Sequence, residues 1–192
     1  MQKVENIHET PHDGKPLLPA VPSSEVYLED CVKALKRYAD NHFDLAIVDP
    51  PYGIGIDGQK QSINLNNPKA NRKAHSFKGW DNEIPKAEYF AELERVSKNQ
   101  IVWGANYFTE YLPPSMGWIF WDKGQDLSMS DGELAYTSFN RALRRVKINR
   151  GQLMVEGGTI HPTQKPIDLY AWILLHYAEP NQKLLDTHFG SG

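Results

Sequence analysis

The feature that most constrains this chain is a short apolar run that stops abruptly. Leu45-Ala46-Ile47-Val48 is apolar without alternation and is followed at once by Asp49-Pro50-Pro51-Tyr52. A four-residue run of this kind is the signature of a strand covered on both faces. The prolines end it, because each fixes φ near −65° and neither offers an N–H. In open α/β sheets, ligands bind beyond the carboxyl ends of such strands. A stiff turn there, carrying a carboxylate, bare carbonyls and an aromatic ring, can accept hydrogen bonds from an amine while the ring stacks on a flat base. The plain alternative is a turn starter followed by a packing tyrosine.

The rest of the chain repeats the theme of short strands and helices. VYLED from Val26 reads as a strand, and CVKALKRYA as a helix. WDNEIPKAEYFAELERVSKN reads as a helix capped by Asp81 or Asn82, with Pro85 in its first turn and Tyr89, Phe90, Leu93 and Val96 as its apolar stripe. QIVWGANYF, GWIFWDKG and ELAYTSF read as strands, the first broken by Gly104. PIDLYAWILLHYA reads as a helix entered at Pro166, and KLLD as a last strand. The alternation predicts an α/β domain with a mostly parallel sheet. Residues 1–23 read as a loose arm and 24–192 as the domain, with small insertions at 54–79 and 122–158. The loop from Gly53 to Gly79 is long and polar, which marks it as functional or mobile.

Composition narrows the class. No apolar run approaches the roughly 20 residues of a membrane span, the N-terminal stretch lacks a signal core, and the single Cys31 cannot form an internal disulfide, so a cytoplasmic location is expected. The net charge of −3 gives no bulk support for nucleic acid, though a local basic patch can serve one face. Two basic groups exist: Lys69, Arg72, Lys73 and Lys78 in the long loop, and Arg141, Arg144, Arg145, Lys147 and Arg150 in FNRALRRVKINRG. Either group can neutralise phosphates. The second could equally be a solvated helix face. Trp103, Trp118 and Trp121 read as core, and Trp80 borders the loop. The His residues form no ligand-like cluster, so no metal is expected.

Two further blocks complete the pattern. His161-Pro162-Thr163-Gln164-Lys165-Pro166 leads into a helix, and Leu184-Leu185-Asp186 runs into Thr187-His188-Phe189-Gly190-Ser191-Gly192. Glycines in such a turn let the backbone approach a ligand. With these blocks in this order, the chain from Val26 to Gly192 resembles the amino-methyltransferases of DNA in their circularly permuted beta arrangement.

The resemblance implies a Rossmann-like sheet with helices on both faces, S-adenosylmethionine as methyl donor, and double-stranded DNA as partner. It implies catalysis by Asp49, Pro50, Pro51 and Tyr52. It implies a cofactor site drawn from Asp30, His161, Lys165, Asp186, Phe189, Gly190, Ser191 and Gly192, with Asp30 closing the VYLED strand near the cofactor adenine. The family's usual Asp-Pro-Phe reads Asp186-Thr187-His188 here, and Phe189 is expected to take over the packing role. The family continues beyond the glycine turn, so a fragment is the expected explanation of an end at Gly192. An opening Asp implies adenine N6, with cytosine N4 as the alternative. The same turn chemistry also serves an RNA or protein amine, and a catalytically silent DNA-binding derivative is a third reading.

Overall fold

The computed structural model describes residues 23–58, 60, 74–124, 130–149, 153, 160–161 and 163–190. Six strands form one sheet: β1 (Phe43–Val48), β2 (Ser97–Trp103), β3 (Trp118–Asp122), β4 (Gly132–Thr137), β5 (Arg144–Lys147) and β6 (Leu184–Leu185), in the order β5-β3-β4-β2-β1-β6. β1 lies parallel to both β2 and β6, and β3 lies parallel to β5. Only β4 opposes its neighbours β2 and β3. All strands but β4 therefore end on the same rim, and β4 begins there. The expected mostly parallel α/β sheet is present, and it is consistent with a Rossmann-like methyltransferase fold.

The unbroken apolar run of β1 has its reason in two cores. Ala46 and Val48 face a cluster with Leu35, Tyr89, Phe90, Leu93, Val96, Val102 and Phe108. Leu45 and Ile47 face another with Ile101, Trp103, Ile119, Trp121, Leu169 and Ile173. Helices α1 (Cys31–Leu35) and α2 (Ala87–Val96) thus cover one face, and α3 (Ile167–Tyr177) the other. The α2 stripe Tyr89, Phe90, Leu93 and Val96 is buried as its spacing predicts; each such side chain contributes about 1.5–3 kcal/mol. Arg95 ties the end of α2 to the turn after α1, donating to the Leu35 and Tyr38 carbonyls at 3.2 and 2.9 Å.

Several expectations are corrected. VYLED is not a strand: residues 23–28 carry no regular structure, and Val26, Tyr27 and Leu28 stand exposed in succession. Strand propensity needs a sheet edge to act on, and no described strand pairs with this segment. Asp30 instead caps α1, accepting from Lys33 N at 2.9 Å, as a short polar side chain does at a helix start. Asp81 does not cap α2, which begins six residues later at Ala87 behind Lys86, and Pro85 precedes the helix. FNRALRRVKINRG holds no helix among its described residues; it carries edge strand β5, with Val146 buried and Arg144, Arg145 and Lys147 outward. Charged side chains of this kind protect a sheet edge from pairing. The segment 122–158 contributes strands β4 and β5 to the sheet, so it is less an insertion than part of the frame.

Candidate active site

The rim formed by the strand ends gathers the chemistry. Asp49 follows β1, Gly104 follows β2, Lys123 follows β3, Glu133 sits near the start of β4, and Asp186 follows β6. Lys165 arrives from the segment before α3.

Asp49 is held from two sides. Its Oδ1 accepts the Tyr52 hydroxyl at 2.6 Å, and its Oδ2 accepts Lys165 Nζ at 2.5 Å. Lys165 Nζ also lies 3.3 Å from the Tyr52 hydroxyl oxygen. Lys165 is only 6% exposed. Burial alone would lower its basicity; the Asp49 and Glu133 carboxylates outweigh that and hold its ammonium well above the usual lysine range. Burial pushes the Tyr52 hydroxyl well above the usual phenol range, so it serves as a neutral donor to Asp49.

The Tyr52 ring is fixed by its seat. Gly104 has φ +67°, and a Cβ there would stand 2.5 Å from Tyr52 Cδ1 and Cζ. Only glycine supplies both that conformation and that clearance. Tyr107 stacks on the ring with centroids 5.2 Å apart at 19°. The sequence placed Tyr52 as a platform for a base; in this structure Tyr107 occupies a stacking position on it.

A second carboxylate lies behind Lys165. Glu133 Oε1 pairs with Lys123 Nζ at 2.8 Å, and Oε2 lies 3.3 Å from Lys165 Nζ without hydrogen-bond geometry. Burial would raise the Glu133 carboxyl; the ammonium groups of Lys165 and Lys123 prevail and hold it at about 2. The lysines rest against tryptophan rings, Lys165 Nζ 5.2 Å from the Trp103 centroid and Lys123 Nζ 5.2 Å from that of Trp121. Sequence reading gave neither Glu133 nor Lys123 a place in the site. An acid opening an apolar strand, ELAYT, was the signal available.

Pro50 and Pro51 continue the Asp49 turn without regular structure. His161 bonds Thr163 Oγ1 through Nδ1 at 3.0 Å, and its ring lies 4.9 Å from that of Trp80; burial lowers its basicity. Asp186 accepts His188 N at 2.9 Å, closing the turn after β6, and Gly190 has φ +57°. Phe189 is 55% exposed and does not take over the packing role. Thr187 and His188 do: Thr187 Oγ1 bonds the Tyr89 hydroxyl at 2.7 Å and His188 Nδ1 at 2.9 Å. Ser191 and Gly192 lie outside the described residues, as do Lys69, Arg72, Lys73 and Arg150.

The loop after the Asp49 turn is anchored by two carboxylates that sequence reading did not assign to it. Asp81 accepts Gly53 N and Ile56 N, each at 2.8 Å. Asp57 accepts Lys78 N at 2.7 Å and Trp80 N at 3.2 Å, together with Gly79 N. These ties hold the turn that carries Tyr52.

Among the basic residues, Arg141 is exposed, with its guanidinium engaged by the chain itself. It donates to the His176 carbonyl and lies over the rings of Phe139 and Tyr177 at 5.5 and 5.2 Å, a cation at the end of α3. Arg144, Arg145 and Lys147 remain outward on β5, with Arg145 loosely paired to Asp122 at 4.0 Å. β5 lies four strand positions from β1, roughly 19 Å at the usual spacing.

The fold and this rim define a chain built like a Rossmann-type methyltransferase, with an acid-Pro-Pro-Tyr turn beside a glycine turn on adjacent parallel strands. No protein-family model matches it. It is 27% identical over 208 residues to the type II methyltransferase M.HpaI of Haemophilus parainfluenzae, an alignment covering 85% of this chain and 62% of that protein. The chain thus spans less than two thirds of that relative's length. Among the described residues, no helix is long and apolar enough to cross a membrane.

Proposed function

We propose that this chain transfers a methyl group from S-adenosylmethionine to the exocyclic amine of a DNA base, adenine N6 in preference to cytosine N4. The observation that carries the reading is the convergence of Asp49 and Tyr52 with Lys165, which lies 116 residues beyond Asp49 in sequence, at the carboxyl end of β1. The likeness to a type II methyltransferase supports it. The preference for adenine rests on the Asp that opens the turn.

The cofactor fits the turn after β6. That strand pairs directly with β1, so its end lies one strand position from Asp49. A Cβ on Gly190 would meet nothing nearer than the His188 carbonyl at 3.6 Å, which leaves the backbone open to a ligand. Asp186, Gly190, Lys165 and His161 are the residues that would hold it, with Ser191 and Gly192 continuing the turn. The bound cofactor supplies a methyl group already activated on a sulfonium.

The chain's own task is to position and sharpen a poor nucleophile. An aromatic amine delocalises its lone pair into the ring. Asp49 Oδ1 exchanges the Tyr52 hydroxyl for the amine N–H, and the Pro50 carbonyl accepts the second. Both contacts favour a pyramidal nitrogen and offset its developing positive charge. Tyr52, released from Asp49, stacks on the base, which takes the position that Tyr107 holds against the ring. The base must leave the duplex to reach this rim, at a cost of a few kcal/mol. Arg144, Arg145 and Lys147 contact phosphates, and the loop groups Lys69, Arg72 and Lys73 are proposed to do the same.

The test is incubation with labelled cofactor and unmethylated DNA, then digestion and identification of the nucleoside, beside Asp49→Ala. Label in N6-methyladenine that vanishes in the variant supports the reading. Label in N4-methylcytosine keeps the mechanism and changes the base. Transfer to structured RNA or protein but not to DNA refutes it.

A further inference from the structure

We propose that Glu133 is a positioning residue for methyl transfer, acting through Lys165 on Asp49, with Lys123 as its far anchor. The inference rests on the reading above and adds residues to it.

The four side chains form an alternating row: Asp49, Lys165, Glu133, Lys123. The links are 2.5 Å, 3.3 Å and 2.8 Å. The row is neutral overall, and its two ammonium groups are buried: Lys165 and Lys123 side chains are 1% and 9% exposed. Its elements come from four places in the chain and meet only because β4 runs against its neighbours. Had β4 been parallel, Glu133 would sit at the opposite rim of the sheet. The register sets Glu133 opposite Trp121, one step from the Asp122–Gly132 pair that closes the ladder. Gly132 leaves no room for a Cβ, which would collide with the Phe120 ring and the Trp121 carbonyl. The strand entry is thereby fixed and Glu133 is aimed.

The consequence is electrostatic. An ammonium held by Asp49 alone would centre on that carboxylate and weaken it as an acceptor. Glu133 draws on the same ammonium from the other side, so Lys165 steadies Asp49 without consuming its capacity to accept the amine. Lys123 balances Glu133 and keeps it from capturing Lys165 outright. A buried charge row is a poor means of gaining stability, since apolar replacements often do as well. Its placement against the reacting carboxylate indicates positioning.

The experiment is a double-mutant cycle in single-turnover methylation of DNA, using Glu133→Gln, Lys165→Met and the pair, with cofactor and DNA affinities measured alongside. Glu133→Gln should slow the step roughly 10- to 100-fold, the range found for partners that orient a first contact. Both affinities should stay within about threefold, and the pair should be no slower than Lys165→Met alone, because residues acting as a unit are not additive. Lys123→Gln should lower the rate in the same step by a smaller factor; it tests the row from its outer end should Glu133→Gln fail to fold. Full rates in the folded variants, or additive losses in the cycle, would overturn the proposal. If the wild-type chain methylates no DNA, the reading in the preceding subsection falls and the positioning role falls with it.

Discussion

Gly104 offers the sharpest physical test of the site. Its φ of +67° and its contact with Tyr52 impose two separate costs on Gly104→Ala, and Gly55 separates them. Gly55 has φ +68°, and a Cβ added there would meet nothing within 4 Å, so Gly55→Ala bears only the cost of the left-handed backbone, about 1–2 kcal/mol. Gly104→Ala bears that and the overlap with the Tyr52 ring, which stands about 1 Å inside ordinary contact. Overpacking of that kind adds about 1–3 kcal/mol. For a chain of this size each kcal/mol lowers Tm by about 2–4 °C. Gly104→Ala should therefore melt several degrees below Gly55→Ala. The ring must also move, and a displacement near 1 Å can cost about 100-fold in rate. Urea unfolding and single-turnover methylation of both variants read the two effects. Equal stability of the two variants, with full activity in Gly104→Ala, would refute the account of how Tyr52 is seated.

Other outcomes follow from the same geometry. Lys165→Met leaves the Asp49 and Glu133 carboxylates without their shared ammonium and should destabilise by about 3–5 kcal/mol, read by denaturant titration. Glu133, held at about 2 against an ordinary 4.5, adds stability that is present above pH 4.5 and lost as pH falls toward 2; Glu133→Gln should flatten that acid limb. His188, which burial pushes down to about 4, stays neutral in the fold while an unfolded chain takes up a proton below about 6.5. Stability should thus fall between pH 6.5 and 4, and His188→Asn should remove that slope. Arg145→Ala and Lys147→Ala should each reduce the salt dependence of DNA binding by about one phosphate contact, whereas Arg141→Ala should lower Tm and leave that slope unchanged.

The sequence was legible where function and fold use local patterns. β1 announced itself because a strand covered by α1 and α2 on one face and by α3 on the other has no polar side to show. The Asp49 turn and the Lys165 block were readable as motifs, and the structure joins them. Signals that depend on a partner were not readable. Val26–Leu28 has strand-forming residues but pairs with no described strand. Arg144–Lys147 became a strand because β3 offered its flank, although four residues are too few to show a period. Asp81 has the chemistry of a helix cap, yet the nearest orphan N–H groups were those of Gly53 and Ile56. Glu133 could be found only from register, since the antiparallel entry of β4 is what brings it to Lys165.

The central claim is that Asp49 at the end of β1 accepts the amine of a DNA base during methyl transfer. The measurement that tests it most directly is nucleoside analysis of DNA treated with labelled S-adenosylmethionine and either the wild-type chain or Asp49→Ala. The account predicts label in N6-methyladenine with the wild type and none with the variant. Undiminished label with Asp49→Ala would contradict it.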